Sequence, residues 1–119
     1  MKKIFTLFAA LTMVMSMFAA QETVYFVNAH KWAGTINAYA WTTDPNASWP
    51  GTAATKEAEQ IAGFDVYSFT AEAGKYANVI FNNGSQQTAD LKWTAGKYYC
   101  KDGWYTKEEA AAKLEQPVE

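Results

Sequence analysis

Residues 36–41 alternate without interruption: Ile36, Ala38 and Ala40 fall on one side of an extended chain, and Asn37, Tyr39 and Trp41 on the other. A period of two is that of a β-strand, so this stretch belongs in a sheet with one set facing inward. Sheets ordinarily hide bulky residues and expose polar ones. Here the two large aromatics share a face with a polar residue, and the opposite face is small and apolar. Two orientations satisfy the pattern. In one, the small residues face the core and Tyr39 and Trp41 form an exposed aromatic platform suited to binding. In the other, the aromatics fill the core and Asn37 is a buried exception. The pattern alone does not choose between them.

The surrounding sequence is built of similar short segments divided by turn residues. Strands are predicted over 23–28, 35–42, 64–70, 76–82 and 86–93, with one or two more over 97–105. Asn83 and Gly84 give the strongest hairpin signal, and Asp102 and Gly103 a second turn. Residues 43–48 and 49–52 read as a polar loop and its closing segment, and 56–60 as a short charged helix or a loop. Six or seven short strands at this spacing predict an all-β fold, an antiparallel β-sandwich of immunoglobulin-like type, over residues 21–105. Thr106 followed three residues later by Glu109 is a capping box. The run from Glu108 to Leu114 favours helix, so residues 106–119 are predicted as a short helix and tail. The helix has two ways to sit: docked through Ala111 and Leu114, or free. Its small apolar face favours a loosely held tail.

Residues 1–20 read as a leader outside the fold. Lys2 and Lys3 precede an uncharged apolar run from Ile4 to Ala20, with small residues at its end. This is the layout of a secretory signal peptide, which makes the expected product secreted or held at the cell surface, with no membrane span left in the mature chain. No Cys lies near the end of the run, which disfavours a lipid-anchored form. The leader at one end and the polar 116–119 tail at the other favour a small secreted protein, the alternative being one module of a larger enzyme or surface protein. About 99 of the 119 residues remain, one small domain by size, expected as a monomer. Five Trp, seven Tyr and seven Phe in the full chain are more rings than so small a domain hides easily, and exposed aromatics mark binding surfaces. The net charge is −2, or −4 once Lys2 and Lys3 are removed, and there is no Arg. Nucleic-acid binding depends on clustered Lys and Arg, so that class is disfavoured. Cys100 is the single cysteine, which precludes an internal disulfide and is read as a small buried apolar residue.

The catalytic signals are weak. His30 is a lone loop histidine, no Ser sits in a nucleophile elbow, and no Cys and His cluster has metal-ligand spacing. Asp44 and Asp65 are the only candidate pair for a two-carboxylate glycosidase, and a sandwich this small has little material for the cleft such chemistry needs. The chain is expected to be non-catalytic, with no cofactor and no metal.

Four segments together resemble a family 26 carbohydrate-binding module: Thr-Val-Tyr-Phe at 23–26, Asn-Ala-Tyr-Ala-Trp at 37–41, Trp-Pro-Gly at 49–51 and Val-Ile-Phe-Asn-Asn-Gly-Ser-Gln-Gln-Thr at 79–88. Each is short; their order and spacing carry the resemblance. It implies a β-sandwich that binds α-1,4-glucans, starch and maltooligosaccharides, on aromatic side chains of one face. Tyr39 and Trp41 match the family's strand pair, Trp49 its later ring, and Gln86 and Gln87 the polar groups after its Phe-Asn-Asn-Gly turn. The chain departs from the family in carrying Trp41 where a second tyrosine is common, and in having no attached enzyme domain. The resemblance favours the orientation with Tyr39 and Trp41 outward. Trp32 is a further candidate, a loop ring that either extends the platform or packs at the domain edge. Trp93 and Trp104 are expected to pack against strands or helix, and Asn82 and Asn83 to form the turn. The competing function is a secreted β-sandwich that binds proteins through the same exposed rings.

Overall fold

A computed structural model describes residues 20–115. The expected leader, up to residue 19, and the 116–119 tail lie outside the described residues. The elements are β1 Gln21–Val27, β2 Asn37–Trp41, β3 Thr52–Ala53, β4 Thr55–Lys56, β5 Val66–Glu72, β6 Asn78–Asn82, β7 Leu91–Lys92, β8 Tyr98–Cys100, β9 Gly103–Tyr105 and α1 Lys107–Leu114. They form two sheets, one ordered β4-β5-β1-β8-β9 and the other β3-β2-β6-β7. The fold is the predicted β-sandwich with a short C-terminal helix. All strand pairs are antiparallel except β1 with β8, which run parallel, Tyr25 beside Tyr98 and Phe26 beside Tyr99. The predicted strand over 86–93 shrinks to Leu91–Lys92, with separate contacts to β6 at Gln87 and Thr88. In the 56–60 segment read as helix or loop, Lys56 ends β4, which pairs with β5, and the rest is irregular.

The face of β2 is decided by what packs against it. Ile36, Ala38 and Ala40 are all within 1 % of complete burial and join Val24, Phe26, Val79, Phe81 and Leu91 in the core between the sheets. Across the ladder Ala38 stands opposite Phe81 and Ala40 opposite Val79. The small side chains of β2 leave the room in which Phe81 stacks on Phe26, 5.1 Å apart and 18° from parallel. Tyr39 or Trp41 turned inward would overfill this layer. Trp104 meets Phe81 and Tyr99 edge-on, and Trp93 packs with Phe69 and Tyr76 while donating its Nε1–H to Glu22. Both thus pack against strands, as expected.

The helix differs from the expectation of a loose tail. Ala110 and Leu114 are buried on the outer face of the larger sheet, against Val27, Val66, Cys100 and Ile61; Ala111 is half-buried beside them. The helical stripe is small, but the sheet contributes its own apolar residues to the contact, and burying a leucine contributes about 1.5–3 kcal/mol. The capping box is present: Thr106 Oγ1 accepts from the Glu109 N–H at 3.1 Å, and Glu109 Oε1 from the Thr106 N–H at 2.9 Å. Cys100 lies under this helix, fully buried.

Candidate functional site

With Ala38 and Ala40 inward, the pleat turns Asn37, Tyr39 and Trp41 to the outer face of the smaller sheet. Tyr39 and Trp41 are half-buried there, and Trp49 is the one large hydrophobic residue of the described chain that is exposed, at 43 %. Tyr39 is the centre of the group. Its ring lies 5.6 Å from that of Trp41, inclined by 50°, and 5.3 Å from that of Trp49, inclined by 59°. The three are therefore facets of an angled surface and not a flat row. Ile80 stands opposite Tyr39 on the same face, only 7 % exposed, and Asn78 stands opposite Trp41.

Trp49 comes from a loop, and the loop is fastened to β2 at several points. Asn46 acts as a substitute strand along β2 where β3 ends, at Ala38 and Ala40. Its Oδ1 accepts from the Ala40 N–H at 2.9 Å, and its Nδ2 donates to the Ala38 carbonyl and to Thr52 Oγ1, both at 3.1 Å. Its own N–H donates to the Ala40 carbonyl at 2.8 Å. Gly51 then lets the chain pass close over β2. Its φ is +100°, and a side chain there would overlap the Ala38 carbonyl oxygen. From the other side Asn82 Nδ2 donates to the Pro50 carbonyl at 3.1 Å. Side-chain amides thus replace regular ladder bonds, leave little backbone unsatisfied, and hold Trp49 beside Tyr39.

Sequence reasoning named Tyr39, Trp41 and Trp49, and the structure brings these three together. Gln86 and Gln87 are exposed on the turn after β6. Asn82 and Asn83 build that turn: Asn82 Oδ1 accepts from the Gly84 N–H, and Asn83 Oδ1 from the Ser85 and Gln86 N–H groups. Gln86 Oε1 accepts from Asn83 Nδ2 at 3.1 Å, and Gln87 lies opposite Asn82. The turn is joined to the Trp49 loop through Asn82 and Pro50. Trp32 is not joined to the three rings. It is half-buried between β1 and its own loop, stacked on Phe26 at 5.3 Å and on His30 at 5.9 Å. Asn37 is 8 % exposed with its amide turned to the Thr35 carbonyl, so little of it faces outward.

Asn46 and Gly51 are the positioning residues that sequence reasoning missed. A loop asparagine reads as a turn former, and only the fold shows which strand edge it completes. The Trp-Pro-Gly segment carried the signal for Gly51 without the reason. The carboxylates held below their ordinary range lie on the helix and nearby loops. Glu59 is lowered by the hydrogen bond it accepts from Lys107, Asp65 by that from Gln60, and Asp102 by that from Tyr105. Among the described residues no three His, Cys, Asp or Glu side chains gather as around a metal ion, and no helix is long and apolar enough to cross a membrane.

Comparison with known families agrees with this geometry. The family model described as starch-binding module 26 matches residues 24–93, from within β1 to the residue after β7. No curated protein and no solved structure matches the chain.

Proposed function

The chain belongs to the starch-binding module 26 family, and from that premise we propose that it binds α-1,4-glucans non-catalytically, on Tyr39, Trp41 and Trp49. The observation that carries the reading is the angle between the rings, 50° and 59° at spacings of 5.6 and 5.3 Å. A glucose ring has an apolar face of C–H groups and a rim of hydroxyls. An α-1,4-linked chain curves, so successive apolar faces change direction, and inclined aromatic facets follow that curve. A flat β-1,4-linked chain would call for coplanar rings.

Each ring that covers on the order of 100 Å² of apolar sugar surface contributes roughly 2–3 kcal/mol. Ordering and association take back several kcal/mol. The balance is on the order of −3 to −5 kcal/mol, a Kd of roughly 0.2–6 mM. Gln86 and Gln87, on the turn tied to the Trp49 loop, supply amides for hydroxyls at the rim, a role in selectivity more than in affinity. The leader-like layout of residues 1–20 supports export of the domain to where polysaccharide is met.

The test is a titration of the purified protein with maltoheptaose and with cellohexaose, followed by tryptophan fluorescence and by retardation in gels containing amylopectin. Saturable binding of maltoheptaose alone is expected. Equal response to both oligosaccharides, or migration unchanged by amylopectin, would refute the reading.

A further inference from the structure

A second constellation lies away from the three rings. The loop after β1, residues 28–34, and the loop before β5, residues 60–65, enclose a hollow of about 250 Å³. Trp32 and Lys31 line it from the first loop, and Gln60, Phe64 and Asp65 from the second. Both loops are held firmly. Asn28 clasps the Trp32 peptide at both ends, Nδ2 donating to its carbonyl at 3.0 Å and Oδ1 accepting from its N–H at 2.9 Å. The Asn28 N–H donates to the Asp65 carbonyl at 2.9 Å, which ties one loop to the other. Ile61 and Phe64 exchange two backbone bonds of 3.0 and 2.9 Å around Ala62 and Gly63.

Each loop also carries a non-glycine residue in the left-handed region, Lys31 at φ 55° and Ala62 at φ 52°. Such conformations are unfavourable for residues with a Cβ and gather where a site must be shaped. At Ala62 the positive φ, followed by Gly63 at φ 84°, makes the tight turn that presents Phe64 next to Lys31, whose Nζ stands 5.7 Å from the Phe64 ring.

The chemistry of the lining selects a class of ligand. Trp32 and Phe64 contribute ring atoms to the lining. Asp65 accepts from Gln60 Nε2 at 2.8 Å, which leaves lone pairs for further donors. Lys31 and the rest of the Gln60 amide donate and accept. The Lys56 ammonium stands 3.6 Å from Asp65, so the charges are mixed and no single sign dominates. This suits a neutral molecule with apolar faces and a rim of hydroxyls. The volume is below the range of about 300–1,000 Å³ usual for larger ligands, and suits one pyranose ring and not a length of chain.

We propose that this hollow is a second carbohydrate site, which takes a single terminal sugar residue while the Tyr39, Trp41 and Trp49 surface takes a run of chain. Its being a glucose residue rests on the glucan reading above; its being a sugar rests on the hollow itself. Two sites on one small domain let it engage a branched polysaccharide at two points, which raises avidity without new contacts.

The experiment is a titration of ¹⁵N-labelled protein with maltose, and separately with maltoheptaose, following two sets of amides. Residues 28–34 and 60–65 report the hollow; 37–41 and 49–51 report the three rings. Maltose is expected to shift the hollow set along its own saturation curve. Phe64→Ala and, with an exposed side chain that leaves the fold untouched, Gln60→Ala are expected to weaken that curve, Phe64→Ala by about tenfold. Both are expected to leave the ring set unchanged, and Trp41→Ala to do the reverse. Shifts confined to the ring set, or a hollow curve indifferent to both substitutions, overturn the second site and leave the glucan platform standing. Shifts confined to the hollow set uphold the second site and overturn the platform. No shift in either set overturns both.

Discussion

Replacing Gly51 with alanine tests whether Trp49 is held beside Tyr39 by the close passage of its own backbone. A Cβ at Gly51 would overlap the Ala38 carbonyl oxygen and come within 2.8 Å of the Ala38 carbonyl carbon and 2.9 Å of Tyr39 Cα, at a φ of +100°. The atoms it meets are backbone of β2, which is paired to β6 along its length and cannot yield. Two costs add. The left-handed conformation costs an alanine about 1–2 kcal/mol, and forcing the extra carbon against β2 about 1–3 kcal/mol. The loop relieves the second cost by lifting, and in lifting it carries Trp49 away from Tyr39. The expected result is a loss of about 2–4 kcal/mol, a fall in Tm on the order of 10–25 °C for a domain of this size, and amylopectin binding weakened about tenfold or more as one ring leaves the surface. Gly96→Ala is the control. Gly96 has φ +78°, but no atom lies within 4 Å of where its Cβ would stand, so only the conformational cost applies and affinity stays unchanged. Thermal unfolding by circular dichroism, with affinity electrophoresis on both variants, reads the two effects separately. If Gly51→Ala melts and binds as Gly96→Ala does, close passage over β2 is not what positions Trp49.

The same geometry sets the remaining outcomes. Trp41→Ala should weaken glucan binding at least about tenfold, while costing less stability than the roughly 3–5 kcal/mol of a deleted core aromatic; calorimetric unfolding beside a maltoheptaose titration checks this. Asn46→Ala should cost about 1–3 kcal/mol by orphaning the Ala40 N–H and the Ala38 carbonyl, measured by denaturant midpoint, with binding weakened as the Trp49 loop loosens. Leu114→Ala should cost about 2–5 kcal/mol, measured the same way, because Leu114 is 2 % exposed and α1 is part of the fold; no change would mean the helix is a free tail. Glucan binding should be level from about pH 5 to 8 and insensitive to salt, since stacking and amide hydrogen bonds on a neutral ligand need no ionised group. Stability should be level from about pH 5 to 7 and decline on acidification below about pH 4.5. Glu59, Asp65, Asp102 and Glu109 are lowered from ordinary values of 4.5, 3.8, 3.8 and 4.5, so their contribution is complete above those values and lost as pH falls through the lowered ones. All four lie at the surface, which keeps the decline shallow; a steep loss between pH 5 and 7 would contradict the assignment.

Local chemistry settled much of this protein before any fold was known. The period of two made 36–41 a strand, Asn83 and Gly84 set a turn, and Thr106 with Glu109 began a helix, because each depends on residues within a few positions of one another. The family resemblance needed no fold either: it rests on the order and spacing of four short segments between residues 23 and 88, three of whose rings, Tyr39, Trp41 and Trp49, lie within one stretch. What the sequence left open is non-local. The alternation in β2 is equally compatible with either face inward, and Phe26 and Phe81, distant in the chain, fill the space that only Ala38 and Ala40 leave free. The helix stripe of Ala110 and Leu114 reads as too small to dock until β1, β5 and β8 present Val27, Val66 and Cys100 beneath it. Trp32 reads in sequence as a loop ring that either extends the platform or packs at the domain edge, and the loop clasp of Asn28 decides it by holding the ring on Phe26. Asn46 shows the limit most directly. An asparagine in a polar loop is ordinary in sequence, and its role arises only because the edge of β2 extends beyond its partner β3, where buried N–H and C=O groups must find some partner and a side-chain amide supplies both bonds.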